Sequence, residues 1–127
     1  MKKSIINSPQ APSPIGPYNQ AVWMGDILFV SGQIGINPAT NKWTTYKSIT
    51  DEVTQVMENI KAILHQAGID FSHVVKTTIF LSDMSLFTEV NEVYAKYFIT
   101  DYPARETIAV KGLPKDANVE ISVIAYR

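Results

Sequence analysis

Residues 119–126 read VEISVIAY, a run in which two sets of side chains alternate. One set is Val119, Ile121, Val123 and Ala125, and the other is Glu120, Ser122, Ile124 and Tyr126. Because successive side chains of a β-strand point to opposite faces, the first set predicts a face packed on the core. The segment therefore predicts a strand that carries one carboxylate, Glu120, on the face turned away from that core.

The preceding apolar segment, from Arg105 to Lys111, predicts the strand next to it. In this segment Ile108 and Val110 alternate with Arg105, Thr107 and Ala109. If the apolar sets of the two strands share the core, Arg105 and Glu120 emerge together on the opposite face of the sheet. That face would also carry Ile124, Tyr126 and Ala109, which is too apolar for free solvent and indicates a subunit interface.

Further upstream, the pattern predicts two helices and four more strands. A one-sided apolar stripe indicates a helix from Asp51 to Ala67, capped by Thr50 and ended by Gly68. A second apolar stripe indicates another helix, which Asp83 or Ser85 would cap. Strands are predicted at Ala21–Met24 and Ile27–Val30 around a Gly25-Asp26 turn, at Val74–Leu81, and at Lys3–Ile6 if these residues also pair.

The resulting order, βββαβαββ, favours an α+β fold in which two helices cover one face of a mostly antiparallel sheet. With 127 residues and no long linker or repeat, the chain is predicted to be a single domain over 1–127. The other sheet face then needs a cover, and a second copy of the chain is the obvious candidate. Before the first hairpin, four prolines predict an extended or turning arm that holds Tyr18 at a corner.

Composition narrows the classes of function. The net charge is −1 and the lysines are scattered, so nucleic-acid binding has no electrostatic support. There is no cysteine, no apolar run long enough to span a membrane, and no apolar segment of a signal peptide near the N-terminus. We therefore expect a cytoplasmic protein with neither a membrane nor a nucleic acid as partner.

Residue types alone leave the chemistry open. Arg105 and Glu120 could form an exposed ion pair, or the guanidinium could be a bidentate receptor for a carboxylate. Tyr18 could be an aromatic residue that packs at a turn, or a catalytic phenol. Ser31 has no nucleophile-elbow motif around it, which favours a residue that hydrogen-bonds at the end of a strand. Asn91 is expected to be half-buried. His65 and His73 lack the spaced partners of a metal site, and Gly32-x-x-Gly35 lacks the flanks of a nucleotide-binding loop.

Several segments together resemble the reactive-intermediate deaminase family, also called the Rid or YjgF family. In sequence order they are Gly16-Pro17-Tyr18-Asn19-Gln20-Ala21, Phe29-Val30-Ser31-Gly32-Gln33-Ile34, Val74-Val75-Lys76-Thr77-Thr78, Val90-Asn91-Glu92-Val93-Tyr94, Pro103-Ala104-Arg105, Leu113-Pro114-Lys115-Asp116 and Val119-Glu120-Ile121. The resemblance covers essentially the whole chain. It implies a chorismate-mutase-like fold and a homotrimer with clefts between adjacent subunits.

The resemblance also implies an activity and its residues. The activity is the cofactor-free, metal-free hydrolysis of 2-aminoacrylate, 2-iminopropanoate and 2-iminobutanoate to 2-keto acids and ammonia. Arg105 would bind the substrate carboxylate, and Glu120 would hold or activate water. Tyr18 and Ser31 match catalytic cleft positions, and Asn91 and the backbone groups of Gly32 and Thr107 match substrate-binding ones. Thr107 departs from a frequent cysteine. The alternative is a module that binds small carboxylates in the same cleft without catalysis.

Overall fold

The computed structural model describes residues 2–43 and 46–127, and ten regular elements follow one another in this part of the chain. They are β1 (Lys3–Ile6), β2 (Ala21–Met24), β3 (Ile27–Gln33), β4 (Ile36–Asn37), β5 (Lys42–Trp43), α1 (Ile49–Gln66), β6 (Val74–Leu81), α2 (Phe87–Ala95), β7 (Ala104–Ala109) and β8 (Val119–Tyr126). The predicted order βββαβαββ is confirmed, and the structure adds the small β4–β5 ribbon.

Six of the strands form one sheet in the order β1-β2-β3-β8-β6-β7. All its neighbours are antiparallel except β6 and β7, which are parallel. A parallel neighbour requires a crossover connection, and α2 supplies it. The prediction that β7 and β8 are adjacent is therefore wrong, because β6 lies between them.

This topology also corrects the predicted faces of Arg105 and Glu120. Arg105 pairs with Thr77 on β6, and Thr77 pairs with the core residue Val123 on β8. Glu120 instead pairs with Phe80, one residue out of phase with that set. Because paired residues of neighbouring strands share a face, Arg105 lies on the helix-covered face and Glu120 on the opposite one. The assumption that Ile108 belongs to the core was the source of the error, since its side chain is 48% exposed.

Both helices pack on one face of the sheet and enclose the main core. The buried residues of β8 are the predicted inward set. Most of the predicted apolar stripe of α1 is also buried, together with Glu52, Asn59 and Ile63, which the stripe did not include. Ser48, not Thr50, caps α1, because its hydroxyl accepts from the Asp51 amide. Gly68 ends the helix with φ +81°, as predicted, and Asp83 caps the short 3₁₀ turn before α2. In the described part of the chain no helix has the length and hydropathy to cross a membrane.

The sheet face opposite the helices, here called the open face, carries large apolar side chains in contact with solvent. They come from β2, β3, β8 and β7 and are Met24, Ile27, Phe29, Tyr126 and Ile108, each more than a third exposed. Large apolar side chains exposed together on one sheet face are typical of an interaction surface. The expectation of an uncovered sheet face is confirmed.

Candidate functional site

Four of the predicted site residues line one pocket of about 370 Å³. They are Tyr18, Ser31, Gly32 and Glu120. The remaining walls are mainly apolar and come from the arm before β2, from the segment after β3, and from Pro114 in the loop before β8. We call this cavity the acidic pocket, since Glu120 is the ionisable carboxylate in its wall.

Glu120 lies directly against the backbone of Gly32. A Cβ atom built on Gly32 would stand 2.7 Å from Oε2 of Glu120, closer than carbon and oxygen can approach. The pairing of β3 with β8 is irregular at this point, between Val30 and Gln33. Glu120 forms no ion pair with any described residue, and burial raises the pKa of its carboxyl group. The arrangement gives a partly dry, unpaired carboxyl group suited to accept a proton from water.

Ser31 and Tyr18 hold the opposite wall of the acidic pocket. The Ser31 hydroxyl donates to the carbonyl of Asn19 at 2.6 Å, as expected for a residue that hydrogen-bonds at a strand end. No histidine lines the pocket, so Ser31 lacks the base that a serine nucleophile requires. The Tyr18 hydroxyl accepts a long bond from the Ile15 amide, and the side chain is 44% exposed, which leaves its proton free for a ligand.

Gln20 builds the wall formed by the arm, and sequence reasoning missed it. Its side chain is buried, and Nε2 donates to the carbonyls of Ser8 (3.1 Å), Ala11 (3.4 Å) and Pro12 (2.8 Å). Its Oε1 accepts from the Ser8 amide at 2.6 Å. One amide side chain thereby satisfies backbone groups in a segment that has no regular structure of its own. A glutamine directly before a strand and behind a proline-rich arm was the available signal.

Arg105 lies in a second group of residues, on the other face of the sheet. Its Nη1 donates to Oδ1 of Asn91 on α2 at 2.7 Å. Its Cζ lies 5.1 Å from the ring centroid of Tyr94 and 5.7 Å from that of Phe87. The Tyr94 hydroxyl donates to Oγ1 of Thr77 at 3.0 Å, and burial raises the pKa of this phenol. We call this group the arginine cluster.

Arg105 forms no ion pair with any described residue. Its charge is therefore uncompensated within the described part of the chain, while its position is held by an amide oxygen and two rings. A guanidinium in this state can receive a carboxylate through two parallel N–H···O bonds. The prediction that Asn91 is half-buried is confirmed, and its side-chain oxygen accepts the hydrogen bond from Arg105.

Thr107 stands two residues after Arg105 on β7 and so on the same face. Its hydroxyl oxygen is buried and has no hydrogen-bond partner among the described residues. A buried oxygen of this kind is closed to ligands, which leaves the backbone of Thr107 as the part able to contact one.

The structure thus divides the predicted site into two halves on one chain. Tyr18, Ser31, Gly32 and Glu120 meet in the acidic pocket, whereas Arg105 and Asn91 meet in the arginine cluster across the sheet. Within one chain the two halves lie on opposite faces of the sheet and do not meet. Across residues 2–43 and 46–127, no group of three or more histidine, aspartate and glutamate side chains could hold a metal ion.

Comparison with known proteins shows the family of the chain. Residues 8–127 match the family model described as Endoribonuclease L-PSP. A RutC family protein of Pyrococcus horikoshii is 48% identical over 98% of both chains. The 2-iminobutanoate/2-iminopropanoate deaminase of Dermatophagoides farinae is 45% identical over 96% of this chain and 94% of its own length.

Solved structures show the same fold along the whole chain. The Rid-family protein YyfA of Yersinia pestis superimposes with a TM-score of 0.95 at 47% identity, covering 99% of this chain and 100% of its own. TdcF of E. coli, solved with bound serine, gives a TM-score of 0.92 at 38% identity over 98% of both chains. Sequence and fold agree, and the chain belongs to the Rid family, whose model carries the description Endoribonuclease L-PSP.

Proposed function

We propose that this chain hydrolyses imines and enamines of short 2-keto acids, such as 2-iminopropanoate and 2-iminobutanoate, in clefts formed by two copies of the chain. The observation that carries the proposal is the uncompensated guanidinium of Arg105, held by Asn91 and two rings and facing no carboxylate of its own among the described residues. A relative named as a deaminase of these two imines supports it, as does one named Reactive Intermediate Deaminase A. So does a relative solved with serine, a small molecule that also bears a carboxylate beside a nitrogen-bearing carbon.

In this proposal Arg105 binds the substrate carboxylate. Charge-assisted bonds of this kind each contribute about 1.5–3 kcal/mol. Binding through both N–H groups also fixes the plane of the carboxylate, and hence the position of the adjacent C=N carbon. An enamine first takes a proton at its terminal carbon and becomes the iminium ion, which is the protonated imine.

Glu120 supplies the proton acceptor for the hydrolysis itself. Water adds to the C=N carbon of the protonated imine, and one of its protons passes to the Glu120 carboxylate, which gives the neutral carbinolamine. Glu120 returns that proton to the amino nitrogen, which leaves as ammonia while the hydroxyl group loses its proton to become the carbonyl of the 2-keto acid, so that one water is consumed per imine. Proton transfer by a positioned group of this type typically accelerates a reaction by about 10²–10⁴-fold.

The other cleft residues act through hydrogen bonds in this scheme. Tyr18 has a free phenol proton and can donate to the substrate. The Ser31 proton already goes to Asn19, so its oxygen contributes lone pairs only. Backbone groups of Gly32 and Thr107 complete the contacts.

A homotrimer is the assembly we propose. The exposed apolar residues of the open face and the division of the site between two sheet faces both favour a second copy at each cleft. Closed cyclic symmetry with three subunits then gives three equivalent clefts. A cytoplasmic location remains a prediction from the sequence.

The test is a coupled assay in which a serine or threonine dehydratase generates the imine and semicarbazide traps it. We expect the wild-type chain to suppress trapping and Arg105→Ala to lose the suppression. Lys61→Ala, which removes an exposed cation from α1, is the matched control and should behave as wild type. Unchanged trapping with the wild-type chain would refute the proposal for these imines.

The same experiment separates the alternative function, a small-carboxylate binder without catalysis. Saturable binding of 2-keto acids without faster imine decay would identify that module. Binding of RNA or DNA, without which the nuclease activity named in the family description could not occur, is checked by filter binding at low and moderate salt.

A further inference from the structure

The aromatic side chains beside Arg105 have no part in the scheme above. We infer that Phe87 and Tyr94 are positioning residues that set the affinity of the cleft for carboxylates by holding the Arg105 guanidinium. The inference rests on the proposed role of Arg105 as a carboxylate receptor. It extends that role to two residues that touch neither the substrate nor the reacting atoms.

The spacing of the cluster on α2 is the first argument. Phe87, Asn91 and Tyr94 stand at i, i+4 and i+7, so all three side chains form one row along the helix. Arg105 contacts every member of this row, through a hydrogen bond in the middle and a ring at each end. The guanidinium is therefore held at three points by one helix.

The Tyr94 ring is itself fixed by the sheet. Its hydroxyl donates to Thr77, which is fully buried and is the residue that pairs with Arg105 on the neighbouring strand. Arg105 on β7 thus contacts Tyr94 on α2, and Tyr94 is bonded to the β6 residue that pairs with Arg105. These linked contacts restrain the long Arg105 side chain, which is otherwise free to take many rotamers.

The chemistry of the contacts matters as much as their geometry. An aromatic ring attracts a cation through its quadrupole, without neutralising the charge and without occupying an N–H donor. A neighbouring aspartate or glutamate would hold Arg105 equally well but would compete with the ligand. Rings and an amide oxygen keep the cation in place and leave its other N–H groups for a carboxylate.

The consequence is a specific dependence of affinity on the ring at position 87. Phe87→Leu keeps an apolar side chain of similar size but removes the ring, whereas Phe87→Tyr retains the ring. We expect Phe87→Leu to raise the Kd of 2-ketobutanoate about threefold to thirtyfold and Phe87→Tyr to change it less than about twofold. Calorimetric titration of the full chain measures both, and thermal melting checks that each variant folds. Phe87→Met replaces Phe87→Leu if that variant is unstable.

A merely structural role is separated by repeating the pair in an Arg105→Ala background, with the weaker binding followed by NMR titration. If the rings act through Arg105, the two side chains at position 87 give the same Kd once the guanidinium is gone. An equal penalty for Phe87→Leu in both backgrounds overturns the inference, and so does a Phe87→Tyr variant as weak as Phe87→Leu.

The outcome is independent of catalysis, because it concerns binding alone. Ring-dependent binding by a chain without imine turnover supports the inference and refutes the proposed enzyme. Imine turnover together with binding that does not depend on the ring supports the proposed enzyme and refutes the inference. A wild-type chain that binds no 2-keto acid refutes the inference whether or not it hydrolyses imines.

Discussion

Single residues carry the chemistry of the acidic pocket, and Gly32 is the one whose replacement tests it most directly. A methyl group at this position overlaps the Glu120 carboxylate, which can move aside because it ends a flexible side chain. We expect Gly32→Ala to leave the melting temperature nearly unchanged and to lower kcat about tenfold or more, since the displaced proton acceptor is a transition-state group. Gly112→Ala, where an added Cβ meets nothing within 4 Å, is the control and should retain full activity.

Glu120 should also control the pH dependence of turnover. Burial raises the pKa of its carboxyl group, so the ionised form that accepts a proton appears only as pH rises through that raised value. Activity is therefore gained in that window. The stability contributed by this group runs the other way: it is full below the ordinary glutamate pKa and lost as pH rises through the raised one.

We expect the acidic limb of kcat to vanish in Glu120→Gln, together with most of the rate. The measurement is kcat against pH with the imine-generating enzyme in excess at every pH. An identical acidic limb in Glu120→Gln would assign the limb to another group.

Thr107 offers a prediction about stability. Its buried hydroxyl has no partner among the described residues, whereas the hydroxyl of Thr77 accepts from Tyr94. Thr107→Val should therefore raise the free energy of unfolding by about 1 kcal/mol, and the matched Thr77→Val should lower it by about 1–3 kcal/mol, since it strands the Tyr94 hydroxyl. Thermal and urea unfolding at one protein concentration compare them. A destabilised Thr107→Val would mean that the hydroxyl has found a partner.

At the scale of elements, the arm of residues 8–18 depends on Gln20. Gln20→Leu leaves the Ser8 amide and the carbonyls of Ala11 and Pro12 without their partner, and the Ser8 carbonyl with the Ala11 amide alone, so the arm should open to solvent. We expect hydrogen exchange at the Ser8 amide to accelerate and activity to fall, because the arm ends at Tyr18. Gln66→Leu, at an exposed position on α1, is the control. Unchanged exchange at Ser8 would show that the arm is held by its other contacts.

Local sequence patterns predicted most elements well. The bounds of β6 and β8 were predicted to the residue, because strict alternation and β-branched side chains mark a strand whatever its neighbours. The pairing of β7 failed because strand order is a property of the crossover through α2, which no pattern within β7 reveals. β7 is an edge strand with exposed apolar side chains, so alternation there indicated the wrong face.

The candidate site was likewise predicted only in part from the sequence. Recognition of the family motifs predicted which residues would belong to it, and Tyr18, Ser31, Gly32 and Glu120 do meet in one pocket. The positioning residues Gln20, Phe87 and Tyr94 were missed, because their roles arise from contacts between elements far apart in the chain. Aromatic residues in an amphipathic stripe predict a core, and only the structure reveals a cation beside them.

For the whole molecule, the proposed cleft predicts complementation between two inactive variants. Arg105→Ala spoils one half-site and Glu120→Gln the other. When equal amounts are unfolded together and refolded, about a quarter of the clefts in a cyclic assembly should join an intact arginine to an intact glutamate. We expect about that fraction of wild-type turnover. The control is the same variants refolded separately and then combined, and an inactive co-refolded mixture would contradict a cleft shared between copies.

The parallel pairing of β6 with β7 has a consequence for inheritance. It places Arg105 across the sheet from Glu120, so that under the proposed function each cleft is the joint product of two polypeptides. In a cell that expresses two alleles, a chain that folds but lacks Glu120 would spoil clefts whose arginine comes from its healthy neighbour. A chain that cannot fold would leave the healthy copies to assemble with one another. Under the proposed function, a substitution that removes Glu120 but leaves the chain folded is thus more dominant genetically than one that prevents folding.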